Sequence, residues 1–556
     1  MSESPPDVER RSIARNSAVM AAGTLFSRIS GYLRSALLVA TLGSLLHADL
    51  FNVANTIPNA LYILLAGGVF NAVLVPQLVR ALKHDEDAGA AYTSRIITLA
   101  AIFLGAVSVL LVAAAPWIVD LYFDARLDDP AMAAQRDSAI AFARFCLPQV
   151  FFYGMFVLVG QVLNARGTFG PMMWAPIANN VISIGMLVTY WFVYGPAEGA
   201  EKVGPYSTGQ ELLLGLGSTA GIVVQLLVLL PYLKAAGFSY RPRFDFRGTG
   251  LGHTMKLAIW TILFVVVNQI TFWQVTRLAT SGTVGGGDGT GPTVYANSML
   301  ITMVPHAIIT VSLATAILPR LSAYAAEHDL AHLARTLSAT MRSSLAIVVP
   351  FAALLPVLAP DLANAAYGWG AGAPDVDNYV LPISLFGIGL VFFTVHYFTL
   401  RGFYALEQTR TVFLIQCVLA AVNITAAVLL VGQASPRDTV PALVTAYGLA
   451  YVVGASVSFS VLRRRVGGLE VARLVRFGAR LLLVVALSTA AAWLAALALG
   501  GLGEQPHPVV SVGRAGVVGV VDVAVFLVLA RVLRLGEVTE LVDPVMDTVR
   551  RRLRAR

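Results

Sequence analysis

Apolar runs long enough to cross a bilayer follow one another along nearly the whole chain, parted by short polar connections. With roughly 20 residues needed per crossing, such windows fall near 14–42, 50–79, 93–119, 139–164, 171–194, 211–233, 254–280, 293–318, 336–359, 379–400, 411–432, 440–462, 477–499 and 510–533. They predict about fourteen transmembrane helices, and hence an all-α polytopic membrane protein. No connection is long enough to hold a soluble domain. Arg10, Arg11 and Arg15 precede the first run as in a secretion signal. That run is too long and lacks a small-residue cleavage site, so it is expected to stay as the first helix.

Composition agrees: 57% of the 556 residues are hydrophobic and only 13% charged, with a mean hydropathy of +0.74. The net charge of +8 does not point to nucleic acid, because the basic residues sit in short segments between apolar runs rather than on one soluble face. It reads as topology. Placing both termini in the cytoplasm leaves only Arg126, Arg136, Lys202, Arg437 and Arg514 of the 39 Lys and Arg on the outer side, the asymmetry expected of the positive-inside rule. Cys146 and Cys417 fall within predicted helices as apolar filler, with no disulfide framework or metal site implied.

The chain also repeats itself weakly. "AVLVPQLVRAL" resembles "TAILPRLSAYA", pairing Pro76 with Pro319, and each follows a mid-helix proline, Pro58 or Pro305. "LNARGTFGP" resembles "FYALEQTRT", pairing Ala165 with Ala405. Six spans separate the equivalents, so the halves share one orientation, a parallel repeat whose binding site is expected at the repeat interface near the midplane. The expected organisation is a cytoplasmic tail (1–13), an N-lobe of six helices (14–236), a C-lobe of six (237–465), two additional helices (466–535) and a basic cytoplasmic tail (536–556).

Two cations interrupt the first run: Arg28 and Arg34 in "LFSRISGYLRSALLVATLG". An arginine at the centre of a spanning helix costs about 2.5 to 3.5 kcal/mol unless it meets water, protein or a ligand. Ser27, Ser30, Ser35 and Gly31 would allow a kink and supply hydroxyls to a polar wall. The acids available for internal pairing are Asp49 and Asp522, so an anion-binding cavity is favoured, and two planar guanidinium forks suit phosphate or pyrophosphate. In the second run, "ADLFNVANTIPNALYILLAGGVFNAVLVPQL", the three-to-four spacing of Asn52, Asn55 and Asn59 puts them on one face. Pro58 and the Gly67-Gly68 pair suit a helix that bends, as Gly31 does in the first. Asparagines that merely join helices are the alternative.

These stretches, with "GQVLNARGTFGPMMWAPIANN", "VPHAIITVSLATAILPRLS" and "LRGFYALEQTRT" in the same order, resemble the MurJ (MviN) family of lipid II flippases in the MOP exporter superfamily. The resemblance spans the first twelve predicted helices, with the last two matching the family's extra pair. It implies two six-helix lobes opening alternately to each side of the bacterial inner membrane. The implied substrate is lipid II, the undecaprenyl-pyrophosphate-linked disaccharide pentapeptide of peptidoglycan synthesis. Arg28 and Arg34 match the family's cavity arginines and Asp49 an acid opening the second helix; helices thirteen and fourteen would form a groove for the polyprenyl tail. The chain departs from the family at Tyr62 and at Asn297-Ser298, where many relatives carry arginine, and at Ser35, where an acid is common. Arg144 and Arg277 are candidate substitutes for the missing cavity cations.

No catalytic constellation stands out, so a transporter and not an enzyme is expected, with no cofactor and with membrane potential or a sodium or proton gradient as the driving force. The glycine-rich "SGTVGGGDGTG" lacks the Gly-Lys-Ser/Thr ending of a nucleotide loop and reads as a linker. His306 and His396 read as packing residues, Asp522 as packed and hydrogen-bonded. "LVDPVMDTVRRRLRAR" suits anionic headgroups. A monomer is expected, with lipid II, membrane lipids and cell-wall synthesis proteins as partners and no nucleic acid. Export of another polyprenyl-linked glycan, drug/cation antiport, or a non-transporting cell-wall scaffold remain alternatives.

Overall fold

A computed structural model describes residues 5–64, 78, 81, 87, 89–245, 251–285, 288–500 and 506–539, without the side chains of 5–21 and 251–258. The Gly67-Gly68 hinge, Pro76 of the repeat and the terminal arginine cluster lie outside the described residues, as do the side chains of Arg10, Arg11 and Arg15. The chain divides into two compact units, Met1–Gly287 and Asp288–Arg556.

Unit 1 contains α1 (Pro5–Leu42), α2 (Leu46–Tyr62), α3 (Ala90–Ala113), α4 (Ala115–Tyr122), α5 (Ala133–Cys146), α6 (Gln149–Ala165), α7 (Gly170–Tyr194), α8 (Thr208–Leu227), α9 (Leu229–Ala235) and α10 (Leu251–Thr283). Unit 2 contains α11 (Pro292–Thr302), α12 (Val311–Ala326), α13 (Leu330–Tyr367), α14 (Val380–Ala405), α15 (Thr409–Val431), α16 (Thr439–Arg465), α17 (Val471–Leu499) and α18 (Pro508–Val532). Helices dominate because hydrocarbon offers no partner to a backbone N–H or C=O, so each segment must satisfy its own. Among the described residues, twelve helical segments are long and apolar enough to cross a membrane; α1 and the 17-residue described part of α2 stand outside those twelve.

Several single runs of the sequence are broken helices. The run 139–164 divides into α5 and α6 at Leu147-Pro148, and 93–119 divides at Ala114, just ahead of Pro116. The run 293–318 passes from α11 through a π-helical turn, His306–Thr310, that follows Pro305. In each case a proline lacks the N–H that would continue the ladder. The run 211–233 also divides, at Val228 between α8 and α9. Pro58 and Pro319, by contrast, are carried inside α2 and α12.

The compact units and the repeat-based lobes divide the chain differently. The repeat separates six-helix lobes after residue 236, whereas α10 packs within unit 1. Polar contacts account for this: the Gln269 amide donates to Ala60 O, Trp273 Nε1 donates to Leu121 O at 2.7 Å, and Thr283 Oγ1 donates to Asp49 Oδ2 at 2.8 Å. The connection before α10 is pinned to α3, with Tyr240 and Thr98 hydroxyls 2.9 Å apart. Arg95 pairs with Asp245 there and holds that carboxyl below the usual carboxylate range.

In unit 2, α13 packs against α14 on one side and against α17 and α18 on the other. A Cβ at Gly387 would lie 2.6 Å from Ala352 O, so glycine lets α14 approach α13 closely. The opposite side receives α17 and α18 through Ala346, Phe477, Leu481, Val484 and Phe526. Charged clamps hold both ends of this contact. At one, Arg342 Nε donates to Glu537 Oε1 at 2.9 Å and Nη1 to Glu470 Oε2 at 3.3 Å. At the other, Arg514 Nε donates to both oxygens of the buried Asp361 at 2.7 Å. Arg342 and Asp361 are about 28 Å apart along α13 at 1.5 Å per residue, close to the thickness of the hydrocarbon layer.

Asp361→Asn should lower the thermal midpoint of the purified protein, with a cost of about 3 kcal/mol for breaking a pair whose carboxylate is buried and leaving the half-buried Arg514 without it. The exchanged pair Asp361→Arg/Arg514→Asp should recover part of that loss; an unchanged midpoint in Asp361→Asn would show that the pair contributes nothing.

Candidate substrate-binding site

The site is built on α1. Its row Gly23, Ser27, Ser30 and Gly31 faces α7, where the buried Asn180 Nδ2 donates to Ser27 O at 3.0 Å and to Ser30 Oγ at 2.9 Å. Ser30 Oγ donates to Ser27 O at 3.0 Å. A Cβ at Gly31 would sit 3.6 Å from Asn180 Nδ2 and one at Gly23 only 2.8 Å from Trp174 Nε1, so small residues keep the helices close. Bonding that carbonyl to a side chain also relieves the backbone where an arginine interrupts the apolar run.

Arg34 continues this row, since positions three and four apart share a face. It is half-buried and within electrostatic range of the Tyr153 hydroxyl of α6. Tyr62 stacks on Tyr153 with ring centroids 5.9 Å apart and planes at 22°. An aromatic pair therefore stands where the sequence departs from an arginine. Arg28 lies on the exposed side of α1 with Leu25, Ile29 and Leu33, a strip that offers a guanidinium flanked by apolar surface. Among the described residues neither Arg28 nor Arg34 forms an ion pair.

The acids do not answer them. Asp49 is fully buried in the first turn of α2, bonded to Thr283 and remote in role from the arginines. Asp522 is buried in unit 2, where its Oδ1 has no hydrogen-bond partner. On α2, Asn52, Asn55, Thr56 and Asn59 are half-buried while Val53, Ala54, Ile57 and Pro58 are buried, so the asparagines do share the accessible face. Asn55 has a second role: its Oδ1 accepts from Gln149 Nε2 at 3.0 Å, and the same Nε2 lies 3.3 Å from Ser218 Oγ and 3.1 Å from Thr219 Oγ1 of α8. Arg144 is exposed on α5 and Arg277 half-buried on α10; no ion pair ties either among the described residues.

Asn180, Gln149 and Tyr153 are site residues that the sequence reading did not single out. The available signal was the polar pair Asn179-Asn180 inside an apolar run. His306 and His396 are buried against Thr394, at 3.3 Å, and Ser458, at 3.1 Å, within aromatic packing. Asn297 and Ser298 are buried too. Among the described residues no group of three or more His, Cys, Asp or Glu could hold a metal ion.

Twelve helical segments among the described residues, long and apolar enough to cross a membrane, make this a polytopic membrane protein, and the family and fold it shares are those of membrane transporters, not enzymes. Its fold is that of a solved lipid II flippase MurJ in the inward closed conformation, with a TM-score of 0.69 at 16% identity over 94% of this chain and 100% of that one. An inward-facing multidrug resistance MATE family transporter of the MOP superfamily shares it at a TM-score of 0.60 and 16% identity, over 79% and 94% of the chains. The family described as Lipid II flippase MurJ matches residues 38–505, and the chain belongs to that family. Relatives include the lipid II flippase MurJ of Burkholderia cenocepacia, 27% identical over 78% of this chain and 79% of that protein. The probable lipid II flippase MurJ of Rhizobium meliloti is 26% identical over 75% of each. Arg28 and Arg34 precede the matched stretch.

Asn180→Ala removes both bonds to α1 and should cost about 1 kcal/mol, the scale of interhelical hydrogen bonds in membranes. The check is a lowered thermal midpoint with helix content unchanged; an unaltered midpoint would mean that Asn180 does not hold α1.

Proposed function

We propose that this protein flips lipid II from the inner to the outer leaflet of the cytoplasmic membrane by alternating access, with both termini in the cytoplasm. The observation that carries the substrate is the family match over residues 38–505. The arginines of α1 carry the mechanism. An amphiphile with a pyrophosphate between a polar head and a polyprenyl tail needs cations beside apolar surface, the combination that Arg28 presents with Leu25, Ile29 and Leu33.

In this reading Arg28 and Arg34 neutralise the pyrophosphate through bidentate, charge-assisted hydrogen bonds. Tyr153, stacked on Tyr62, positions the Arg34 guanidinium. Asn52 and Asn59 line the polar path for the sugar-peptide head, and Asn55 with Gln149 keeps α2 registered on α6 and α8. Arg144 and Arg277 are further cations for the moving anion. Asp49 acts as a buried anchor between α2 and the end of α10. Transport draws on the membrane potential or an ion gradient, each elementary charge moved through 100 mV being worth about 2.3 kcal/mol.

Cells depleted of the protein should lose lipid II exposure on the outer leaflet, read by its access to an external modifying enzyme. Wild type should restore it and Arg28→Ala/Arg34→Ala, at matched membrane abundance, should not. Restoration by the double variant would remove the arginines from the mechanism, and unchanged exposure on depletion without a redundant flippase would remove the substrate.

A further inference from the structure

Beyond the transport site, unit 2 holds a cavity of about 310 Å³ where α17 begins and α18 ends, lined by Arg342, Arg473, Arg476, Arg480, Arg534 and Glu537. Arg342 is committed to Glu470 and Glu537, and Arg473 to Glu470 at 2.7 Å. Among the described residues Arg476, Arg480 and Arg534 have no carboxylate partner. Arg473 and Arg476 also stand in the first two turns of α17, where the helix dipole is positive and disfavours cations. The rim is strained as well: Glu470 at φ 48° and Arg534 at φ 51° are non-glycine residues in left-handed conformation, a feature that gathers at ligand clamps. So much positive potential in one recess calls for an anion.

The same helix indicates what carries that anion. Arg473, Arg476 and Arg480 lie three and four residues apart on one face of α17, and the spacing continues through Leu483, Leu487 and Leu494, which are 53%, 48% and 60% exposed. A cationic recess opening onto an exposed leucine row has the outline of a lipid, a phosphate in the recess and an acyl chain along the row. A free anion would use the recess and leave the row idle.

We propose that this recess binds the phosphodiester headgroup of an anionic phospholipid of the cytoplasmic leaflet, with an acyl chain along Leu483 and Leu487. The lipid braces the joint where α17 and α18 meet α13, because its phosphate lies beside Arg342, the residue that ties that joint together. This occupancy is independent of which substrate the protein transports.

The test is native mass spectrometry of the delipidated full-length protein titrated with phosphatidylglycerol or phosphatidylcholine. Wild type should retain phosphatidylglycerol preferentially, and Arg476→Gln/Arg480→Gln should weaken retention about thirtyfold. Both positions are exposed, so folding should be preserved; Arg480→Lys, which keeps the charge, should weaken retention less. Arg463→Gln/Arg464→Gln, an equal charge loss in the last turn of α16, should change retention little. Equal loss in the two double variants would reduce the effect to general basicity and overturn the site. Competition by millimolar inorganic phosphate as effective as by lipid would make the ligand a free anion. Arginine-dependent retention of undecaprenyl pyrophosphate in place of phosphatidylglycerol would assign the recess to the substrate headgroup, and either result would overturn the phospholipid.

Discussion

A guanidinium in hydrocarbon has to be answered by water, by protein or by a ligand, and α1 is organised around that constraint. Its backbone is supported by Asn180 next to the first arginine, and its small residues let α7 come close enough to give that support. None of these contacts neutralises either charge. A structural ion pair would have removed that cost; here the helix is supported around the cations, and neither forms an ion pair among the described residues.

The acids show the same economy from the other side. Asp49 is buried at the positive end of α2, where the helix dipole favours a carboxylate, and is bonded to Thr283. Asp361, by contrast, is fully engaged by Arg514, because its task is to hold α18 on α13. Charge is thus found in two states within one chain, closed into a pair where Arg514 and Asp361 join α18 to α13 and without an ion pair among the described residues on α1.

Membrane location, helical class and the two arginines were legible because each is a property of local sequence: length of apolar run, absence of charge, and its two conspicuous exceptions. The interruptions at Ala114, Pro148, Val228 and Pro305 were not, since a hydropathy window averages over a break that costs only one or two hydrogen bonds. Nor were Asn180 and Gln149. An amide in an apolar run can face a cavity or clasp a neighbouring helix with the same spacing, and Asn55 clasps Gln149 of α6. The Asp361–Arg514 pair joins residues 153 positions apart that separately resemble ordinary outer-side charges, so only packing reveals it.

The place of α10 follows from the same limit. A repeat in sequence reports descent, so it divides the chain where the copies join; contacts report which helices hold one another now. Gln269, Trp273 and Thr283 each bond to a group in unit 1, Ala60 O, Leu121 O and Asp49 Oδ2, in an apolar setting. Such bonds are costly to leave unmade, and three along one helix are enough to keep it with the unit whose polar groups it satisfies. Unit 2 obeys the same logic, its two added helices fixed to α13 by clamps about one hydrocarbon thickness apart. Arg342 ties the start of α17 and the end of α18 to α13, and Asp361 ties the start of α18, so α18 cannot tilt against α13 without breaking a charged pair.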